Sequence, residues 1–503
     1  MISILQVTTF SIGIGIVFFG LSQAWLALNY QRSKDKYKVA KPAAVWSGVF
    51  PSVLMQLPIY NERYVVERLL RAVALLDYPH DKLTVQLLDD STDETTAISA
   101  QVIAELVKTG VNIQHIRRAD RSGYKAGALQ AGLALDTSEF IAIFDADFIP
   151  QPDFIKRIIV YFSDPKVGMV QTRWDHLNAN YSLLTKILSF GIDAHFSMEQ
   201  GGRQASESFI NFNGTAGMWR RKTIDSAGGW SSDCLTEDLD LSFRSQLLGW
   251  KFLFEESIST PSELPVEMSA IRSQQFRWTK GAAEVGRKMT PLLWASNEPF
   301  SRKIVGSFHM LNSLIFPSVF VFSLLTACYP FLYGQGAEAA FMPIGLMLLV
   351  GTVSIVFAYA TAQTHGHFQH RNGGFLHAIY SSFMFMFLTS GLGLHNTIAV
   401  VQGLSGRKTG FVRTPKLNIM ADDHRFTTNR AYTLKFLTVG FVLELLAAAL
   451  FLGLSLHSLW YGHYVLLVVY GYFAAGYVIV IYFTLDEVTN SMKLKYNAKR
   501  ANA

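Results

Sequence analysis

Six long apolar runs constrain this chain more than any other feature: one at the start and five after residue 307, with a charged block between. Leu5 to Leu28 is apolar for over twenty residues, enough to cross a hydrocarbon core about 30 Å thick. The later runs cover roughly 308–333, 341–363, 376–403, 434–457 and 463–485. Only 16% of the 503 residues are charged, against roughly 25% in soluble proteins. The deficit is local, because residues 30–305 have ordinary soluble composition. The pattern describes a multi-pass integral membrane protein with one embedded globular domain.

Charge sets the expected topology. A signal peptide has a shorter apolar core and a basic start, whereas here the basic residues follow, from Arg32 through Lys41. The positive-inside rule then puts the polar domain in the cytosol. The loop 404–433 carries Arg407, Lys408, Arg413, Lys416, Arg425 and Arg430, and the tail carries Lys493, Lys495, Lys499 and Arg500. Both belong on the cytosolic side, which demands an even number of spans between residue 300 and that loop. The run 376–403 is the weakest, broken by Ser381, Ser382, Gly391, Gly393, His395 and Asn396. It is assigned to an interfacial or re-entrant helix, leaving five spans, with a polar-lined sixth as the alternative. The expected domains are a transmembrane helix at 1–30, a globular domain at 45–300 and a membrane domain at 301–503.

Two cysteines, Cys234 and Cys328, offer neither metal-ligand spacing nor a disulfide framework. The net charge of +6 resides near membrane ends, so it reads as topology and not as nucleic-acid binding.

Residues 50–260 alternate short apolar runs with helical stretches, as an α/β domain on a largely parallel sheet does. Val53–Pro58 reads as a strand, with Asn61 and Glu62 starting a helix through Leu76. Val85–Leu88 is a strand ending at Asp89-Asp90, and Phe140–Phe144 one ending at Asp145. Acids at carboxyl ends of strands sit where such sheets bind ligands.

Asp89-Asp90 could equally cap the next helix. Asp145 and Asp147, one residue apart, repel unless a cation neutralises them. Mg²⁺ or Mn²⁺ shared with a diphosphate meets that need. Gly123-Tyr124-Lys125-Ala126-Gly127 can bring a cation and backbone amides to phosphate at a helix start; it lacks the Gly-Lys-Ser/Thr of a P-loop. Thr236-Glu237-Asp238-Leu239-Asp240 concentrates three acids, one a candidate base for an acceptor hydroxyl. Asp238 is the choice, although the residues alone do not separate the three. In Gln274-Gln275-Phe276-Arg277-Trp278, Trp278 can stack on a sugar ring and Arg277 can neutralise diphosphate. The same residues also suit an amphipathic interfacial helix.

Together, Asp89-Asp90, Asp145-x-Asp147, Thr236-Glu237-Asp238 and Gln274-x-x-Arg277-Trp278 resemble the processive family 2 glycosyltransferases of the cellulose synthase superfamily. Leu88–Asp93, Gly123–Leu129, Phe144–Phe148 and Phe212–Gly217 sharpen the likeness to its cellulose-synthase-like A and C groups, makers of β-1,4-linked mannan, glucomannan and xyloglucan backbones. The resemblance implies a GT-A-type, Rossmann-like cytosolic domain inserted between transmembrane helices.

It also implies roles. Asp89, Asp90, Lys125, Asp145, Gln274 and Arg277 would bind the donor, and Asp145 and Asp147 the metal. Asp238 would be the catalytic base, with Trp278 and Glu237 on the acceptor side. Phe411-Val412-Arg413-Thr414-Pro415-Lys416 resembles the gating loop that closes over donor, departing from the usual valine at Arg413. The expected reaction is a single displacement with inversion, using UDP-glucose or GDP-mannose, that extends a β-linked glycan and passes it outward between spans. Aromatic residues such as Trp278 and Phe316 are candidate stacking platforms. Expected partners are the nucleotide-sugar donor, the growing glycan or a lipid acceptor, and membrane lipid, with room for accessory translocation proteins. The rival is a non-processive enzyme adding one sugar to a ceramide or diacylglycerol lipid. A pure transporter fits less well, since charges within the apolar runs are few, Glu444 being an exception.

Overall fold

The computed structural model describes residues 2–33, 46, 48–332, 337–366, 374–420 and 438–501, with side chains undescribed at 2, 337–338 and 494–501. Most of the basic cluster after Arg32, Arg425 and Arg430 of the central loop, and the side chains of Lys495, Lys499 and Arg500 lie outside it.

Among the described residues the polar block folds around seven strands: β1 (Val53–Ile59), β2 (Leu83–Asp89), β3 (Ile113–Ile116), β4 (Phe140–Ile143), β5 (Val167–His176), β6 (Gly217–Arg220) and β7 (Lys251–Ser262). Their order is β3-β2-β1-β4-β6-β5-β7. Strands β1 to β4 are parallel, β6 is antiparallel to both neighbours, and β5 and β7 run parallel. Strand alternation divides the core. Val53, Met55, Leu57 and Ile59 pack on one face with Val85, Leu87, Phe140 and Phe144. Leu54 joins Leu129, Ile141, Trp219 and Phe254 on the other.

Helix Tyr124–Leu133 lies on that second face. Gly132 permits the approach, for a Cβ there would stand 2.6 Å from Gln86 Oε1. Gln56 Nε2 donates to Gln86 Oε1 at 3.3 Å and to the Leu129 carbonyl at 3.1 Å, satisfying an amide nitrogen buried in the sheet.

The first helix after β1 begins at Val66, not at Asn61 or Glu62. Asn61 is left-handed, with φ 56°, and bonds to the loop after β2. Its backbone N–H donates to Ser91 Oγ at 2.9 Å, and its Oδ1 accepts from Thr92 N–H at 2.8 Å. A contact to a separate strand loop thus overrides the local helix signal.

Among the described residues, five helices are long and apolar enough to cross a membrane: Ser3–Ser33, Asn312–Leu332, Phe341–His365, Val439–Trp460 and Tyr464–Lys493. Phe375–Gly391 and Gly393–Leu404 form a pair bent by 58°. The first packs with Val480 and Phe483 of the last span. In the second, Gly403 comes so close to helix Met268–Ala295 that a Cβ would stand 2.6 Å from the Lys280 carbonyl. The N-terminal helix meets Phe341–His365 at Gly20, whose Cβ would lie 3.0 Å from the Gly351 carbonyl. It also reaches the globular domain, where Tyr30 donates to Glu256 at 2.8 Å.

Candidate active site

The carboxyl ends of β1, β2 and β4 open onto a crevice. It contains Asp90, Lys125, Asp145, Asp147, Glu237, Asp238, Gln274, Arg277 and Trp278. Asp89 stands behind it. As the last residue of β2 it is buried, with Oδ2 2.9 Å from His115 Nε2 and Oδ1 accepting from Ser91 N–H at 2.8 Å. Burial works to raise its pKa, but the bonds from His115 and Ser91 prevail and hold it at about 2. Asp90, one residue on, turns to the crevice and takes a two-pronged contact from Arg118, Nε to Oδ1 at 3.0 Å and Nη2 to Oδ2. Neither acid caps the following helix; Asp93 accepts from Thr95 N–H there at 3.0 Å.

Asp145 and Asp147 each hold an ammonium. Lys125 Nζ reaches Asp145 Oδ1 at 2.5 Å and the Gly214 carbonyl at 2.9 Å. Burial works to lower the Lys125 pKa, and Asp145 and Glu237 more than reverse it, leaving it raised. Lys416 Nζ lies 2.7 Å from Asp147 Oδ2 and donates to the Glu263 carbonyl at 2.6 Å. Two hard oxygen donors, each already drawing a positive charge, suit Mg²⁺ or Mn²⁺ chemically.

Glu237 and Asp238 open the helix Glu237–Leu247. Burial, then the charge of Glu237, pushes Asp238 up to about 7, in the range a general base needs near neutral pH. Glu237 is also raised, burial being the main cause. Gly214 makes room for Asp238 and Lys125: its φ is +83°, and a Cβ would stand 2.9 Å from Asp238 Oδ2 and 3.4 Å from Lys125 Nζ. Thr215 Oγ1 accepts from Asp145 N–H at 2.9 Å.

Gln274, Arg277 and Trp278 lie on helix Met268–Ala295. Burial depresses the Arg277 pKa to about 10. Arg277 binds the loop after Leu404: its guanidinium donates to the Val412 carbonyl and to Thr414 Oγ1 at 2.9 Å, and stacks 4.8 Å from the Phe411 ring centroid. Lys280 donates to the Arg407 carbonyl and Thr409 Oγ1, both at 2.6 Å. Arg413, the residue that departs from the gating-loop pattern, pairs with Glu62 at 3.4 Å. The Glu263 carboxylate accepts from Leu417 N–H at 2.8 Å and Asn418 N–H at 2.9 Å. The loop is therefore fastened over the crevice at several points. Glu62, Arg118 and Glu263 escaped the sequence reading. Glu62 looked like a helix start, and the other two carry no local motif.

Asp238, Gln274 and Trp278 also line a second cavity of about 1050 Å³ that continues between the membrane helices past Phe316, Leu349 and Val468.

The family described as "Glycosyltransferase like family 2" matches residues 51–281. A glucomannan 4-beta-mannosyltransferase 1 from Cyamopsis tetragonoloba is 32% identical over 473 residues, 90% of this chain and 85% of that one. Glucomannan 4-beta-mannosyltransferase 7 from Arabidopsis thaliana is 35% identical over 323 residues, 62% of this chain and 57% of that one. The match spans about half the length of several other such relatives. Among solved structures, the mannosyltransferase PcManGT from Pyrobaculum calidifontis, in complex with GDP-Man and Mn²⁺, aligns with a TM-score of 0.51 and 17% identity over 81% of this chain and 100% of its own. That likeness concerns the GT-A-type fold.

Proposed function

The chain belongs to the family 2 glycosyltransferases of the cellulose synthase superfamily, beside the glucomannan 4-beta-mannosyltransferases, and from this premise we propose that it polymerises a β-1,4-linked mannan or glucomannan at a membrane. GDP-mannose is the favoured donor, from the activity named in its relatives, with UDP-glucose as the competing one. The observation that carries the reading is the position of Asp238, which lines both the crevice holding Lys125, Asp145 and Arg277 and the cavity running between the apolar helices.

In this reading Asp238 accepts the proton of an acceptor hydroxyl as that oxygen attacks the anomeric carbon. The bond to the nucleoside diphosphate breaks on the opposite face, inverting an α-linked donor into a β-linkage. Lys125 and Arg277 offset the charge growing on the departing diphosphate, and Asp90 contacts the nucleoside end. Asp145 and Asp147 would hold Mg²⁺ or Mn²⁺, which supplies further positive charge to the diphosphate. Trp278 offers its face to the acceptor sugar, with Glu237 beside it. The cavity past Phe316 gives the product a path outward, and the catalytic domain lies in the cytosol.

The test is to incubate purified protein in nanodiscs with Mg²⁺ or Mn²⁺ and radiolabelled GDP-mannose or UDP-glucose separately, with Asp238→Asn as control. A long product digested by a linkage-specific glycanase and lost in the variant supports the reading. A single labelled lipid overturns it.

A further inference from the structure

Helix Met268–Ala295 carries more than Gln274, Arg277 and Trp278. Beyond them Lys280, Glu284 and Lys288 fall at four-residue intervals, which puts all three on one face. Glu284 and Lys288 have no part in the chemistry described so far, and Lys280 only holds the loop.

The face holds two segments at once. Lys280 Nζ takes the loop after Leu404, donating to the Arg407 carbonyl and to Thr409 Oγ1, both at 2.6 Å. Glu284 Oε1 lies 3.7 Å from that ammonium, and Glu284 Oε2 accepts from the Leu235 N–H at 2.8 Å. Lys288 Nζ lies 2.8 Å from Asp233 Oδ2 and 2.7 Å from Asp240 Oδ1. Leu235 and Asp240 flank Glu237 and Asp238 in the chain. Thr236, which enters their helix with φ −119° and ψ 77°, packs on Gly281, where a Cβ would stand 2.5 Å from Thr236 Cγ2. One helix face thus grips the catalytic segment on both sides of Asp238 and the loop beside it.

A cavity of about 320 Å³ lies between the loop and that segment, lined by Lys408, Thr409 and Phe411 on one side and by Asp233 and Leu235 on the other. Lys408 crosses it, donating to the Asp233 carbonyl, and Glu284 closes it from the helix. The Lys280 and Glu284 side chains are buried, at 0% and 5% exposure. A buried pair returns little stability for its desolvation unless its remaining hydrogen bonds are met. Here the loop meets those of Lys280, and the backbone ahead of Asp238 meets those of Glu284. The pair is satisfied only while both segments are seated.

Resting on the glycan-polymerase reading, we propose that Lys280 and Glu284 are positioning residues that tie the seating of the loop after Leu404 to the placement of Asp238. Neither touches donor or acceptor. They act through Thr409 and Arg407 on one side and through Leu235 on the other.

The experiment uses the full-length protein in nanodiscs with GDP-mannose or UDP-glucose, whichever is transferred. It measures kcat, donor KM, nucleoside diphosphate affinity and apparent Tm. Glu284→Leu removes the acceptor of the Leu235 N–H and is expected to lower kcat about ten-fold, with nucleoside diphosphate affinity within about two-fold of wild type. Glu284→Gln, whose amide oxygen still accepts from Leu235, is expected to keep kcat within about three-fold. Thr409→Val releases the loop end of the relay, leaves the buried pair in place, and is expected to lower kcat about three-fold. In a single relay the falls do not multiply, so the double variant Thr409→Val with Glu284→Leu should stay within about two-fold of Glu284→Leu alone. Unchanged kcat in folded Glu284→Leu, equal losses in its Leu and Gln variants, or falls that multiply overturn the proposal and leave the enzyme reading intact. If Glu284→Leu does not fold, unchanged kcat in Thr409→Val overturns it. A wild type that elongates no glycan from either donor overturns both.

Discussion

Lys416 Nζ lies 2.7 Å from Asp147 Oδ2, so the loop after Leu404 places its own cation on one of the two carboxylates fit for a divalent ion. Both partners are largely shielded, with 12% and 8% of their side-chain surfaces exposed. Metal and Lys416 must then compete for Asp147. Lys416→Met is expected to tighten Mn²⁺ binding by about ten-fold, the equivalent of about 1.4 kcal/mol and near the worth of one charge-assisted hydrogen bond. Electron paramagnetic resonance titration of free Mn²⁺ checks this without turnover. Faster trypsin cleavage of the loop is expected in the same variant, because Lys416 also ties it to the Glu263 carbonyl.

Transfer should depend on pH through Asp238. Its pKa is raised to about 7 by burial first and Glu237 second, and only the deprotonated form accepts a proton. The kcat/KM profile should therefore rise about ten-fold per pH unit below the limb and level off above about 7. The two acids titrate as a pair, so the limb belongs to both. Glu237→Gln removes one negative neighbour and leaves burial in place, so the limb should move to lower pH without disappearing. A pH–rate series on the purified variants reads this directly. Asp238→Asn should cost about 10²–10⁴ in rate above the limb, with the difference from wild type shrinking as pH falls below about 7.

Gly214→Ala should harm both fold and site. The left-handed backbone costs an L-residue about 1–2 kcal/mol, and the added Cβ would press on Asp238 Oδ2 at 2.9 Å. A lower apparent Tm and a larger fall in kcat than in nucleoside diphosphate affinity are expected. Unchanged kcat at lowered Tm would mean that Gly214 serves the backbone alone.

The parallel strands and the acids at their ends were legible in the sequence because both follow from local patterns: apolar runs of strand length and motif spacing. Distinguishing Asp89 from Asp90 was not, although strand alternation sends the two side chains to opposite sides. Which side faces the crevice depends on His115 and Arg118, about 26 and 28 residues on in sequence. Asn61 failed as a helix start for the same reason, since its partners Ser91 and Thr92 belong to another strand loop. His195 Nδ1 and Arg203 Nη2 both lie 2.9 Å from Glu199 Oε2, a network with a usable signal in its four-residue spacing. It was hidden by an ordinary helical pattern on either side. The contacts of Lys416 with Asp147 and of Arg413 with the Tyr60 carbonyl join residues 269 and 353 positions apart, beyond any pattern in the chain.

Glu444, the charge that stood out within an apolar run, pairs with Arg272 two residues before Gln274. Arg272 Nη2 lies 2.7 Å from Glu444 Oε2 and donates to Thr484 Oγ1 at 3.0 Å, while the Arg272 carbonyl lies 2.9 Å from His395 Nε2. Arg272 thus joins the helix carrying Gln274, Arg277 and Trp278 to two apolar helices through its guanidinium and to the bent pair through its carbonyl. Removing one partner of a shielded ion pair strands the other charge and costs about 3–5 kcal/mol, whereas replacing both with apolar residues is often neutral. Arg272→Met and Glu444→Met should each lower the apparent Tm in nanodiscs, and the double variant should recover most of the loss. Nucleoside diphosphate affinity separates anchoring from packing. If the pair also sets the helix that carries Arg277, the double variant will regain stability while still binding nucleotide several-fold more weakly than wild type.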